Sequence, residues 1–155
     1  MHVLNFPEYQ FTYRTDKQRK FIFDNIRKKY VSLTPEEWVR QHVVRFLITE
    51  KNYPPGLISI EKSIKVHDTV KRTDICVFNR NARPLMIIEC KAPEIKVNQH
   101  VFDQVARYNI PIRAPFLMVT NGLVHHCSQI DFTENTYSFL KEFPEFKYLI
   151  ESAER

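Results

Sequence analysis

The sequence predicts an α/β sandwich built on a mixed sheet, and three observations carry that reading. A capped amphipathic segment opens the regular part of the chain. Three runs rich in β-branched and apolar residues follow it. A second amphipathic segment then precedes two more apolar runs. The order helix, three strands, helix, two strands fits one domain, which at 155 residues is long enough to bury a core.

Taken in order, residues 1–33 read as an irregular arm with a strand at Phe21 to Phe23 and a basic cluster Arg27-Lys28-Lys29. Thr34-Pro35-Glu36-Glu37 is a helix start: Thr34 caps, Pro35 suits the first helical position, and Glu37 sits where a capping-box glutamate would. This helix runs to about Lys51 and stops before Tyr53-Pro54-Pro55-Gly56. Leu57 to Val66, Thr73 to Phe78 and Pro84 to Lys91 are the three strands. The second helix is capped by Asn98, with Val97, Val101, Val105 and Tyr108 along one stripe. Pro115 to Thr120 is a strand, Asn121-Gly122 a tight turn, and Leu123 to Ile130 its partner. The tail, 131–155, is ambiguous, with a short helix expected over Tyr137 to Phe146.

Composition narrows the function. Only two glycines are present, and neither GxxxxGK[ST] nor GxGxxG occurs, which excludes P-loop ATPases and dinucleotide-binding folds. Three cysteines without CxxC spacing exclude a disulfide scaffold and a zinc ribbon. No apolar run, Pro84 to Ile88 included, is nearly long enough to cross a bilayer, and MHVLNFPEYQ has no basic-then-apolar leader, so the expected location is the cytoplasm. The net charge of +5 is uneven: residues 1–96 hold 18 basic and 11 acidic side chains, and 97–155 hold 5 and 7. A basic segment favours a polyanionic partner, since each neutralised phosphate releases counterions; a solvated basic surface is the plainer alternative. No aromatic platform for stacking bases is evident in the sequence.

The informative pair of strands is RTDICVFN and PLMIIECK. Alternation puts Glu89 and Lys91 on one face of the second strand. If the NRNAR connection is symmetric, with Asn79 opposite Pro84, Asp74 lies directly across from Glu89, about 5 Å away at Cβ. A one-residue slip would put the two carboxylates on different faces. Two adjacent carboxylates repel unless a cation neutralises them, and a divalent ion such as Mg²⁺ or Mn²⁺ with oxygen ligands does so. Lys91 beside them could hold a water or a phosphate charge, and these are the parts that metal-assisted phosphodiester hydrolysis needs. Glu-x-Lys occurs three times in the chain, but only Glu89-Cys90-Lys91 ends an apolar strand with an aspartate at the mirrored position.

The stretches TPEEWVRQ, RTDICVF, IIECKAPE and FDQVARYN resemble, in that order, the PD-(D/E)XK nuclease superfamily, and more narrowly the nuclease domain at the N-terminus of type I restriction enzyme R subunits and its small stand-alone relatives. The resemblance covers about residues 34–122. It implies a restriction-endonuclease-like αβββαβ core whose mixed sheet is flanked by helices, in a single nuclease-like domain over 1–155 with an arm (1–33), a core (34–130) and a tail (131–155). Asp74 and Glu89 match the metal-binding carboxylates, with the Cys90 backbone carbonyl as a further ligand, and Lys91 matches the lysine that assists the attacking water. Glu37 matches an acidic residue of the first helix that completes the metal shell. Gln104 and Tyr108 match a Q-x-x-x-Y element that supports the site and contacts nucleic acid. Thr73 stands where the superfamily's name has proline. The chain carries no motor ATPase, so it is not by itself a translocating subunit.

The implied function is Mg²⁺- or Mn²⁺-dependent hydrolysis of DNA; Lys71 and Arg72, just before Asp74, are placed to grip phosphates or are simply solvated. The implied partners are DNA, a separate motor or specificity subunit, and a second copy of the chain in a homodimer. The alternative is a non-catalytic nucleic-acid-binding or partner-dependent subunit with the same fold. Individual residues have plainer readings too. Glu37 is also a capping-box residue, Gln104 a sheet-facing buried amide, and Asp74 an ion-pair partner for Lys91. His125-His126-Cys127 does not read as a metal site, because neighbours on a strand point to opposite faces.

Overall fold

A computed structural model describes residues 1–153. Three short strands, β1 (Tyr13–Asp16), β2 (Arg19–Asp24) and β3 (Lys29–Ser32), form an antiparallel sheet of their own. Then follow α1 (Pro35–Lys51), β4 (Ile58–Ile60), β5 (Ser63–Val66), β6 (Thr69–Arg72), β7 (Ile75–Phe78), β8 (Pro84–Cys90), α2 (Gln99–Asn109), β9 (Phe116–Thr120), β10 (His125–Asp131), β11 (Thr136–Leu140) and α3 (Phe146–Ala153). The main sheet has the order β11-β10-β9-β8-β7-β4. Only β8 and β9 run parallel, joined by the crossover through α2, so the expected mixed sheet flanked by helices is what the chain forms.

The core follows from the pleat. Leu85 to Ile88 of β8 are all 2% exposed or less, as a central strand covered on both faces must be. Ile88, Cys90 and Met118 pack with Val39, Val43 and Leu47 of α1 and Leu149 of α3, while Ile87, Leu117 and Val119 pack with Phe102 and Val105 of α2. Residues adjacent in sequence thus enter two different apolar clusters. At the start of α1, Thr34 Oγ1 accepts the Glu37 N–H at 3.0 Å. The capping box stops halfway: the Thr34 N–H donates to the Ser32 carbonyl, and the Glu37 carboxylate is engaged elsewhere.

The β7–β8 register decides the site. Ile75 faces Ile88, Cys76 faces Ile87 and Val77 faces Met86, the alignment the sequence predicts. A bulge between Val77 and Phe78 shifts the turn end, so Phe78 rather than Asn79 faces Pro84. The irregularity is confined to the end away from Asp74 and Glu89.

Four expectations are corrected. The arm is not irregular: its three strands are joined in part by a two-residue turn at Lys17 (φ 48°) and Gln18 (φ 68°). That left-handed pair needs no glycine here, so the usual hairpin signal is missing from the sequence. Leu57 to Val66 is two strands, broken at Glu61 (φ 52°), with β5 and β6 forming a separate hairpin. Asn121-Gly122 is part of a four-residue connection, in which the Asn121 side chain accepts the Leu123 and Val124 N–H groups. In the tail, the stretch expected as a helix begins as β11, whose alternating Tyr137-Ser138-Phe139 completes the edge of β10; α3 starts after Pro144. Among the described residues, no helix is long and apolar enough to cross a membrane.

Candidate active site

Asp74 immediately precedes β7, and Glu89 is the penultimate residue of β8. Continuing the observed pairing by one step sets them opposite each other. The Cys90 N–H donates to Asp74 Oδ2 at 2.8 Å, which pins this carboxylate to the end of β8. Glu89 Oε1 lies 3.3 Å from Lys91 Nζ. The Lys91 backbone N–H donates to the Thr120 carbonyl at 2.8 Å, carrying the β8–β9 pairing one residue beyond the strand and fixing where the lysine starts. Asp74, Glu89 and Lys91 are therefore brought together, with their side chains 19%, 28% and 32% exposed.

The charges there are not balanced. Burial, and then the Asp74 carboxylate, push the Glu89 carboxyl up to about 7, against the pull of Lys91. Burial and Asp74 also raise the Glu36 carboxyl, while Arg40 and Lys91 draw it down. Glu36, on the first turn of α1, thus shares the field of both strand acids. Sequence reasoning chose its neighbour, and the structure corrects that choice. Glu37 points into a closed network: Oε1 accepts from Arg27 at 2.8 Å and Arg40 at 2.7 Å, and Oε2 accepts from Arg40 at 2.9 Å and Gln41 at 3.1 Å. Burial would raise its carboxyl, but these donors hold it below the usual carboxylate range. With both oxygens doubly engaged, Glu37 has no free lone pair to offer an ion.

Arg40 joins that network to the site. It is 5% exposed, and its Nη1 lies 3.7 Å from Asp74 Oδ1 without a hydrogen-bond partner. Behind Glu37, the buried Asp24 accepts from the backbone of Ile26 and Arg27, from Arg27 Nε at 2.7 Å and from Gln41 at 3.0 Å. Glu61, at the strained break after β4, contacts Arg27 and Arg40 at 3.3 Å each and Arg72 at 3.0 Å. Arg27, read in the sequence as part of a basic cluster, is a partly buried strut of this network.

Arg72 is therefore paired through its guanidinium, although it remains exposed. Lys71 Nζ sits 5.0 Å from the centre of the Tyr108 ring, and the Tyr108 hydroxyl donates to the Arg72 carbonyl, stapling α2 to the β5–β6 hairpin. Gln104 does not face the sheet. It is exposed, about 200° around the helix from the buried Phe102, and makes no side-chain hydrogen bond among the described residues. The buried stripe of α2 is Phe102, Val105 and Asn109, and the other members of the expected stripe, Val97, Val101 and Tyr108, pack partly buried beside it. His125 stays out of the site, its two nitrogens bonded to Thr120 Oγ1 and the Asn5 carbonyl, and all three cysteines are free and buried.

Among the described residues, no three acidic, histidine or cysteine side chains converge into a ready-made metal cage. What the site offers is two carboxylates whose mutual repulsion is only partly relieved by one lysine. That donor set fits a hard divalent ion that keeps most of its waters, as Mg²⁺ does with one or two carboxylates. Glu36 and Arg40, which sequence reasoning missed, carry no motif; the one available signal was that Glu36 and Arg40 lie one turn apart on the same helix face.

Comparison with known proteins gives a consistent picture. Residues 35–144 match the family described as type I restriction enzyme R protein N terminus (HSDR_N). The fold is similar to the fragment structure assigned to an HsdR subunit of a type I restriction enzyme from Vibrio vulnificus YJ016, with a TM-score of 0.55 and 21% sequence identity. That likeness covers 78% of this chain but only 25% of the other. No curated protein matches the sequence. The chain belongs to the type I restriction enzyme R protein N terminus family.

Proposed function

We propose that this chain is a divalent-metal-dependent nuclease domain that hydrolyses DNA phosphodiester bonds. The observation that supports it most is the unbalanced pair at the β7–β8 end, where burial and the neighbouring Asp74 raise the Glu89 carboxyl to about 7 with Lys91 alongside. A partly buried pair of acids left uncompensated is destabilising unless it serves a cation.

In this reading Asp74, Glu89 and the Cys90 carbonyl hold a Mg²⁺ or Mn²⁺ ion, with Glu36 rather than Glu37 as the helix acid nearest to it. When bound, the ion supplies a Lewis acid and lowers the pKa of water. Lys91 orients the attacking water and stabilises negative charge on the phosphate. Arg40 keeps Asp74 aimed, and the Cys90 N–H holds the other Asp74 oxygen in place. Lys71 and Tyr108 offer a phosphate contact at the flank, and exposed Gln104 is free to meet DNA directly. Family membership favours DNA and a separate motor or specificity subunit as partners.

The test is incubation of the purified chain with plasmid and branched DNA, with Mg²⁺ or Mn²⁺. Cleavage by the wild type that is lost in Lys91→Ala supports the proposal. Identical behaviour of the two across those substrates overturns it and leaves a DNA-binding module.

A further inference from the structure

We infer that the outer face of the β1–β2–β3 sheet is a stacking platform for unpaired DNA bases. The pairing assigns its faces. Arg14 lies opposite Phe21, and Phe23 opposite Tyr30, so these four side chains share one side of the sheet. Ile22 and Asp24 take the other side and are 0% exposed, Asp24 within the ion network behind α1.

The three rings of the outer face are half-buried, and none belongs to either apolar core. They lie close together: the Phe23 and Tyr30 centroids are 5.2 Å apart, and the Arg14 guanidinium carbon is 4.7 Å from the Tyr30 centroid and 5.6 Å from that of Phe21. Phe23 and Tyr30 meet edge to face and the Arg14 guanidinium lies over Tyr30, so the surface offers ring faces and one guanidinium plane, both of which stack on bases.

Charge selects the occupant. Residues 13–32 hold seven lysines and arginines against two acids; with Arg27 and Asp24 paired to each other, six cations remain against Asp16. An apolar protein partner has no use for that excess, whereas a nucleic acid strand needs rings for its bases and cations for its phosphates. In a duplex the base faces are already stacked on one another, so only unpaired bases can reach these rings. The inference deepens the proposed function by naming unpaired DNA as the part of the substrate gripped here. It rests on that reading only for the link to cleavage. That link is physical: Asp24, Arg27, Glu37 and Arg40 connect the back of this sheet to Asp74 by contacts of 2.7, 2.8, 2.7 and 3.7 Å.

The test is fluorescence anisotropy of the whole chain with a labelled 15-nucleotide oligo(dT) and with a duplex of the same length, in EDTA so that cleavage plays no part. The expected result is tighter binding of the single strand. The double variant Phe21→Leu, Tyr30→Leu should lose about tenfold or more in affinity with an unchanged salt slope. Phe21→Tyr should bind as wild type, and Arg19→Gln should reduce the slope by about 0.7. A duplex bound as well as or better than the single strand overturns the inference, because bare charge prefers the denser polyanion. So does a folded leucine variant that binds like wild type. Quenching of a 2-aminopurine placed in the oligonucleotide reports stacking on the unaltered protein, and its absence overturns the inference even if the leucine variant fails to fold. A chain that binds in this way but cleaves nothing would refute the proposed function alone.

Discussion

Two groups of acids are linked by Arg40 and meet opposite fates. Asp24 and Glu37 are buried, and every oxygen of theirs is held by a guanidinium, an amide or a backbone N–H. Asp74 and Glu89 are only partly buried, with Lys91 beside Glu89 and the Arg40 guanidinium 3.7 Å from Asp74, and burial together with the Asp74 carboxylate pushes the Glu89 carboxyl up rather than down. The first group is neutralised within the fold, and the second, in the proposed function, is what a divalent ion would neutralise. The lesson is that an acid's role follows from what neutralises it, not from its place in a motif, and Glu37 is the clearest case.

The difference can be broken or sharpened by experiment. Lys91→Ala attacks the second group and carries the largest expected effect: a loss of about 10²–10⁴-fold in cleavage rate with Tm nearly unchanged. A comparable loss of thermal stability would mean that Lys91 belongs with the structural acids after all.

Arg40→Met attacks the junction between the groups. Removing it leaves Glu37 buried without its main partner, which should destabilise the protein by about 3–5 kcal/mol. In Tm that is on the order of 6–20 °C, measured by differential scanning calorimetry. A drop of a degree or less would show that the network is ornamental.

Glu36 and Glu37 supply a crossed comparison. Glu36→Gln should weaken Mn²⁺ binding several-fold, read by isothermal titration calorimetry, with little change in Tm. Glu37→Gln should do the reverse, lowering Tm by several degrees, since it removes a charged partner from two buried guanidiniums. If Glu37→Gln abolished metal binding in a protein that stayed folded, the assignment of roles would be inverted.

The smallest effect concerns pH. The Glu89 carboxyl is raised in the fold, so the folded chain holds a proton that the unfolded chain releases. Metal-free protein should therefore lose stability as pH rises from about 4.5 to about 7, by a few degrees in Tm. Glu89→Gln should flatten that slope. Mg²⁺ competes with the same proton, so its stabilising shift should appear above pH 7 and fade below it. A metal-free protein whose Tm is level across this window would indicate that Glu89 is not in the strained state described.

Much of this was legible in the residues. Thr34-Pro35 begins α1 and Asn98 begins α2 because capping is local chemistry, and Asp74, Glu89 and Lys91 converge because strand alternation and a short connection constrain one another. The arm was illegible because its Lys17-Gln18 turn uses left-handed residues other than glycine. Gln104 was misplaced because a stripe of valines on a short helix is compatible with two faces, and only the sheet beneath α2 selects between them.

What the sequence determined by itself was the order of elements, the hairpin register and the identity of the two strand acids, all of which depend on contacts between near neighbours in the chain. The tertiary structure alone decided which helix acid faces them, that Arg27 reaches Glu37 across 10 residues and Glu61 reaches Arg40 across 21, and that the rings of the first sheet stay outside the core. The reason is that neutralisation and burial depend on distance in space, and charges separated along the chain find their partners only when packing fixes which elements meet.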